Sequence, residues 1–216
     1  MRARSVTTPF VRYGPAVAGF ALVAAGLALV LTAGVPASRE TPKDPTVPLP
    51  GESLYQLRTR WTTDDNRSVR LESLRGHVQV MAMIFTRCPT ACPTLVREIR
   101  SLAESLPREL ASATRYVLVS IDPERDTPEV LAGYRDRMGL DAATWTLLRG
   151  RPEDVRELSA VLGFNFGEAQ GSDIMHSKLI TVLDREGRIA HQQPGLGGDP
   201  ARILAGIARA VGSPAP

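Results

Sequence analysis

Residues 78–106 read VQVMAMIFTRCPTACPTLVREIRSLAESL. The first eight, Val78 to Phe85, form a nearly continuous apolar run, the composition of a strand buried on both faces rather than one with a wet side. After Pro93 the period changes. Leu95, Ile99, Leu102 and Leu106 recur at helical spacing, which predicts an amphipathic helix over Pro93–Leu106. Between strand and helix stand Cys88 and Cys92. Pro93 lacks an amide hydrogen and suits the first helical position, placing Cys92 near the N-cap and Cys88 one turn earlier in the loop.

The flanking chain repeats this strand-then-helix order. Tyr116–Ile121 reads as a second buried strand and Pro128–Met138 as a helix with Pro in its first turn. A strand follows at Trp145–Leu148, a helix at Pro152–Leu162, and a hairpin from Leu179–Leu183 and Arg188–His191 about the turn Arg185-Glu186-Gly187. Pro200–Val211 closes the chain as a helix. Upstream, Leu54–Trp61 and Ser68–Leu71 flank the turn-like Thr63-Asp64-Asp65-Asn66, a further hairpin. Strands alternating with helices imply a layered α/β domain with a largely buried sheet and a right-handed crossover over residues 78–121. With an antiparallel edge added by the last hairpin, the order fits a thioredoxin-like single domain over residues 51–213.

The 216-residue chain carries 26 Lys and Arg against 23 Asp and Glu, a net charge of +3. Arg2, Arg4 and Arg12 account for the whole excess, and the chain beyond residue 37 is neutral. The basic surplus is therefore a short flank, not a nucleic-acid face. Residues 15–35 contain no charge and match, at about 20 residues, the hydrocarbon thickness of a bilayer. The arginines of residues 1–14 place that end in the cytoplasm by the positive-inside rule. A single-pass anchor with the folded domain on the extracytoplasmic (periplasmic) face is expected. Secretion after cleavage near Val35-Pro36-Ala37 is the alternative. Five prolines within residues 36–50 suit an extended, semi-rigid tether.

Two cysteines are too few for a disulfide framework and point to a local redox or metal site. Helix-terminal amides and the helix dipole would favour accessible thiolates there, with Arg87 adding positive charge. The spacing also permits a disulfide between Cys88 and Cys92, although closing so short a loop restrains the unfolded chain little. A thioredoxin-type redox motif has two residues between its cysteines and this one has three, so metal against electrons turns on a third group. Of the three histidines, His176, in a loop running into Leu179–Leu183, is expected to meet the cysteines. Two thiolates and one imidazole form a soft, low-coordinate set suited to Cu(I) and less cleanly to Cu(II). Zinc would want a fourth ligand, and no further Cys exists. His77 and His191 read as structural or solvated, Met81 and Met83 as core packing, and Met175 as at most an accessory soft contact.

Taken together, Thr86-Arg87-Cys88-Pro89-Thr90-Ala91-Cys92-Pro93, the stretch Val119–Pro128 (VSIDPERDTP), Trp145–Leu148 with Gly150, Pro152-Glu153-Asp154-Val155, and His176-Ser177 resemble the Sco/SenC family of copper-binding assembly proteins. The resemblance runs from about residue 50 to about residue 212. It implies a thioredoxin-like fold, a membrane anchor, copper held by Cys88, Cys92 and His176, and a role in building the binuclear copper centre of cytochrome c oxidase. The implied partners are the copper-bearing oxidase subunit and other copper chaperones. Asp122 and Asp126 match the family's acidic pair near the site. The alternative for Asp126 is capping of the helix that begins near Pro128. Thr90 departs from the pattern, standing where the family commonly has Asp.

Three functions compete on these residues. A metallochaperone would bind copper and pass it on. A thiol-disulfide oxidoreductase would cycle Cys88 and Cys92 to reduce an oxidised copper site. A peroxidase would use one low-pKa cysteine. His176 separates them, because a pure dithiol exchanger has no use for it.

Overall fold

The computed structural model describes residues 53–168, 174–176, 178–195 and 197–212, with the backbone alone at Glu168 and residues 174–176. The predicted flank (1–14), membrane segment (15–35) and tether (36–50) lie outside the described residues. Among the described residues no helix is long and apolar enough to cross a membrane.

The centre is a seven-stranded sheet with strands β1 (Trp61–Thr63), β2 (Ser68–Val69), β3 (Val78–Ile84), β4 (Thr114–Ser120), β5 (Trp145–Gly150), β8 (Leu179–Leu183) and β9 (Ile189–Pro194). Two further strands, β6 (Phe166–Glu168) and β7 (Ile174–His176), pair only with each other. The sheet order is β2-β1-β5-β4-β3-β8-β9. Strands β3, β4 and β5 run parallel, while β1, β8 and β9 join antiparallel. The helices are α1 (Ala91–Ser105), α2 (Arg108–Ala113), α3 (Pro128–Met138), α4 (Pro152–Leu162) and α5 (Pro200–Gly212).

Every residue of β3 is buried, Gln79 included, because helices cover both sides of the sheet. On one side Leu95 of α1 and Ile180 of β8 close on the same glycine, Gly195. On the other the Ser159 hydroxyl of α4 meets the Met83 sulfur at 3.5 Å. Met81 and Met83 are core residues, as their alternation predicts. Leu95, Val96, Ile99 and Leu102 form the buried stripe of α1, each worth about 1.5–3 kcal/mol of apolar burial.

Helices α3 and α4 have the bounds their punctuation predicts. Each has Pro at its first position and ends on a glycine in the left-handed conformation, Gly139 (φ 64°) and Gly163 (φ 65°), where L side chains are strained and glycine is not. The first hairpin is shorter than its alternation suggests. Leu54–Gln56 is a 3₁₀ turn, and only Trp61–Thr63 pairs with Ser68–Val69. Helix α2 and the pair β6–β7 were not predicted. Helix α2 buries no residue fully, so it carries no apolar stripe to read.

Candidate functional site

The loop from Phe85 to Thr90 leaves the C-terminal end of β3 and feeds α1, beside the loop that leaves β4 for α3. Pairing of β3 with β4 extends one step past the strands, Ile121 N–H donating to Ile84 C=O at 2.8 Å. The two loops are thereby fixed side by side, at the sheet edge where open α/β folds carry their sites.

Helix α1 begins at Ala91, so Thr90 is the N-cap and Cys92 the second helical residue. This corrects the predicted start at Pro93, which falls at the third position, still within the first turn where a missing amide hydrogen costs nothing. The Thr90 side chain makes no capping bond. Instead the Cys92 amide donates to Cys88 Sγ at 3.2 Å, and the Cys88 amide donates to Phe85 C=O at 3.2 Å. The Cys88 sulfur thus takes the place of the cap side chain, which brings both cysteines to one turn.

Neither cysteine is in a disulfide, and both are buried, Cys88 7% and Cys92 0% exposed. The expected accessible, low-pKa pair is therefore corrected at Cys92. Burial pushes its thiol up to about 12, with Cys88 and Asp126 adding to the rise against a backbone hydrogen bond at Phe85. Desolvation outweighs the helix terminus because the thiolate would give up water for few replacement dipoles. Arg87 does not stand free beside the sulfurs either. Its guanidinium pairs with Asp122 at 3.1 Å.

The acidic pair holds this loop. Asp126 is fully buried. Its carboxylate accepts from the Thr86 amide (3.2 Å), the Thr86 hydroxyl (2.5 Å) and the Ser120 hydroxyl (2.6 Å). It does not cap α3. Thr127 does, accepting from the Val130 amide, which corrects the capping alternative. Asp122, 5% exposed, receives Arg87 and, at 3.0 Å, Arg125. Both carboxylates thus anchor residues immediately before Cys88.

His176 ends β7, with Phe166 opposite it in the register. The expected loop position is corrected to a strand; its side chain, with that of Met175, lies outside the described residues. His77 lies at the far end of β3, its pKa lowered by burial and by Arg115 and Arg185. The His191 ring is held by Gln193 Oε1 at 3.0 Å and packs on Gly206, a structural placement. Among the described residues no three His, Cys, Asp or Glu side chains gather into a metal-binding group. What the structure brings together is two soft sulfur donors on one turn, which fits a thiophilic ion needing a further donor from elsewhere.

Thr86, Ser120 and Tyr134 belong to this region and were missed from sequence. Thr86 and Ser120 offer no periodic signal. Tyr134 did offer one, being with Leu131 the buried pair of the otherwise polar α3.

The SCO1/SenC family model matches residues 53–212. A protein from Stutzerimonas stutzeri, provisionally named for copper binding, is 32% identical over 122 residues, covering 55% of this chain and 58% of its own length. The chain thus spans little more than half of that relative. The solved structure of Bradyrhizobium japonicum ScoI with copper bound superposes with a TM-score of 0.58 at 25% identity, covering 70% of this chain and 96% of that one. BsSco, a member of the Sco family of cytochrome c oxidase assembly proteins in which a disulfide switch was identified, gives a TM-score of 0.65 at 22% identity, covering 77% and 98%.

Proposed function

The chain belongs to the SCO1/SenC family, and from that premise we propose that it is a copper-binding protein serving the assembly of cytochrome c oxidase. Cys88, Cys92 and His176 hold Cu(I), and less cleanly Cu(II), as cargo destined for the binuclear centre of the copper-bearing oxidase subunit. The observation that carries this reading is the Cys92 amide donating to Cys88 Sγ, which sets one sulfur in the loop and one in the first turn of α1 side by side at the open end of the sheet. The copper-binding relatives support it. Deprotonation of both thiols accompanies metal uptake, so the raised Cys92 pKa makes copper binding release a proton the free site retains. Residues 15–35 act as a membrane anchor with the domain on the extracytoplasmic face; secretion after cleavage is the alternative.

A second reading has its own support in two adjacent cysteines not joined in a disulfide and in the disulfide switch of BsSco. Here Cys88 and Cys92 close a disulfide while a disulfide in the partner opens, two electrons and two protons passing to the partner's sulfurs.

Copper stoichiometry and X-ray absorption on the reduced, anaerobic chain test the first reading. One copper with two sulfur neighbours and one nitrogen neighbour is expected. His176→Ala should lose the nitrogen and the retained copper while sparing dithiol exchange. An unchanged neighbour set and affinity in that variant overturns the three-ligand site.

A further inference from the structure

Thr86 stands half-buried between the end of β3 and Cys88, and main chain and side chain hold it at once. Its amide and its hydroxyl both donate to the Asp126 carboxylate, where a carboxylate can only accept. Bonds to a charged acceptor are the stronger class. A second hydroxyl stands behind the first. Ser120, the fully buried last residue of β4, donates to the same carboxylate and accepts from the Asp122 amide at 3.0 Å. Ser120 therefore bridges the two acids that hold Thr86 and Arg87. From Thr86 the constraint reaches the sulfur through bonded neighbours. The Phe85 carbonyl accepts from the Cys88 amide, closing a turn with Thr86 and Arg87 in its middle. Cys88 Sγ then accepts from the Cys92 amide. The turn that presents Cys88 is pinned at its middle by the β4–α3 loop and at its end by α1.

We propose that Thr86 is a positioning residue of the copper site, with Ser120 as its support. The Thr86 hydroxyl, locked on Asp126, holds the Phe85–Cys88 turn so that the Cys88 sulfur stands beside Cys92 before the metal arrives. The inference rests on the reading in which Cys88 and Cys92 bind copper, and it adds to that reading two hydroxyls that are not ligands. A ligand keeps its orientation only while the groups behind it are themselves held, and loosening them costs affinity. The same clamp limits how often Cys88, 7% exposed, opens to solvent, because local opening is governed by the bonds that close the segment.

Thr86→Val in the full chain keeps the shape and removes the hydroxyl, whereas Thr86→Ser keeps the hydroxyl. Two measurements on reduced, anaerobic protein read the result: Cu(I) affinity by competition with a chromophoric chelator, and the rate at which iodoacetamide labels Cys88 in the metal-free form. The valine variant should bind Cu(I) roughly tenfold more weakly, the lower end of effects seen when a group behind a ligand is removed. Its Cys88 should label roughly tenfold faster, the effect of losing one hydrogen bond to a charged group. The serine variant should restore both. Ile207→Val, which trims the buried face of α5 and lowers global stability without touching the loop, should change neither. Wild-type affinity or wild-type labelling in the valine variant, whatever its urea midpoint, overturns the proposal and leaves Thr86 a residue of the fold alone. A serine variant as weak as the valine one does the same. Should the valine variant fail to fold, Ser120→Ala, which removes the support and keeps the Thr86 hydroxyl, is read in its place, and an unchanged affinity there overturns the proposal. Wild-type protein that takes up no Cu(I) overturns the copper reading and this inference with it. Wild type that binds Cu(I) beside an unaltered valine variant sinks Thr86 alone.

Discussion

Asp126 and Thr86, forty positions apart, are joined twice, the Thr86 amide reaching one carboxylate oxygen at 3.2 Å and its hydroxyl the other at 2.5 Å. With Ser120 as third donor, the buried carboxylate ties the β4–α3 loop to the residue two positions before Cys88. Asp126→Ala leaves the buried Ser120 hydroxyl and the two half-buried Thr86 donors facing a void and should cost about 3 kcal/mol in urea unfolding. Asp126→Asn, which returns one acceptor, should lie between. An Ala variant within about 1 kcal/mol of wild type would show that the carboxylate is dispensable to the fold.

Asp122 is buried, while its two partners Arg87 and Arg125 are each about half exposed. Either arginine alone satisfies the carboxylate, so Arg87→Ala and Arg125→Ala should each cost less than about 1 kcal/mol, as exposed partners do. Removing both strands a buried charge and should cost about 3 kcal/mol or more. The double-mutant cycle then returns a coupling of about 1–3 kcal/mol. Strict additivity would mean that Asp122 rehydrates freely, contrary to its burial.

The parts of the fold legible in the sequence were those with punctuation or long periodicity. Pro128 and Gly139, then Pro152 and Gly163, bracket α3 and α4 to the residue, because each Pro sets φ at a helix start and each Gly relieves a left-handed end. The almost wholly apolar β3 announced a two-sided burial that it has, Gln79 included. Pro93 misled by two residues because α1 is capped by a sulfur four positions before Cys92 in place of an adjacent side chain, and no capping rule encodes that contact. The site was legible as a pair of cysteines but not as an environment. The burial that raises the Cys92 pKa, and the carboxylates that absorb Arg87 and Thr86, come from strands and loops joined only by the parallel pairing of β3 with β4. Long-range pairing of that kind leaves no local trace.

Alkaline pH should unfold the metal-free domain through its buried acids. Burial pushes the Tyr116 phenol from 10.0 up to about 12, against a smaller opposing effect of Arg115, and the Cys92 thiol from 9.0 up to about 12. Tyr55 and Tyr134 are raised in the same direction, again chiefly by burial. The folded chain holds these protons where the unfolded chain releases them. Their stabilising contribution is therefore complete below about pH 9 and is lost as pH climbs toward 12. The urea midpoint should fall steadily from pH 9 to 11.5, less steeply in Tyr116→Phe. A midpoint constant across that range would contradict the burial assigned to all four groups.

The two cysteines should differ in reactivity despite sharing a turn. Cys92 is wholly enclosed and its thiol is pushed up to about 12, whereas Cys88 retains 7% exposure in the loop that precedes the helix. A thiolate, not a thiol, attacks an alkylating agent, and it must be reached to do so. In the reduced, metal-free protein at pH 8, iodoacetamide should label Cys88 at least about tenfold faster than Cys92. Trypsin releases both in one peptide, residues 88–97, so fragment-ion mass spectrometry of the singly labelled product reads the preference directly. Under the oxidoreductase reading, the same asymmetry would make Cys88 the thiol that attacks a partner's disulfide and Cys92 the one that closes the internal bond. Equal labelling, or labelling of Cys92 first, would require a first turn of α1 that opens in solution, and would reverse the order of attack.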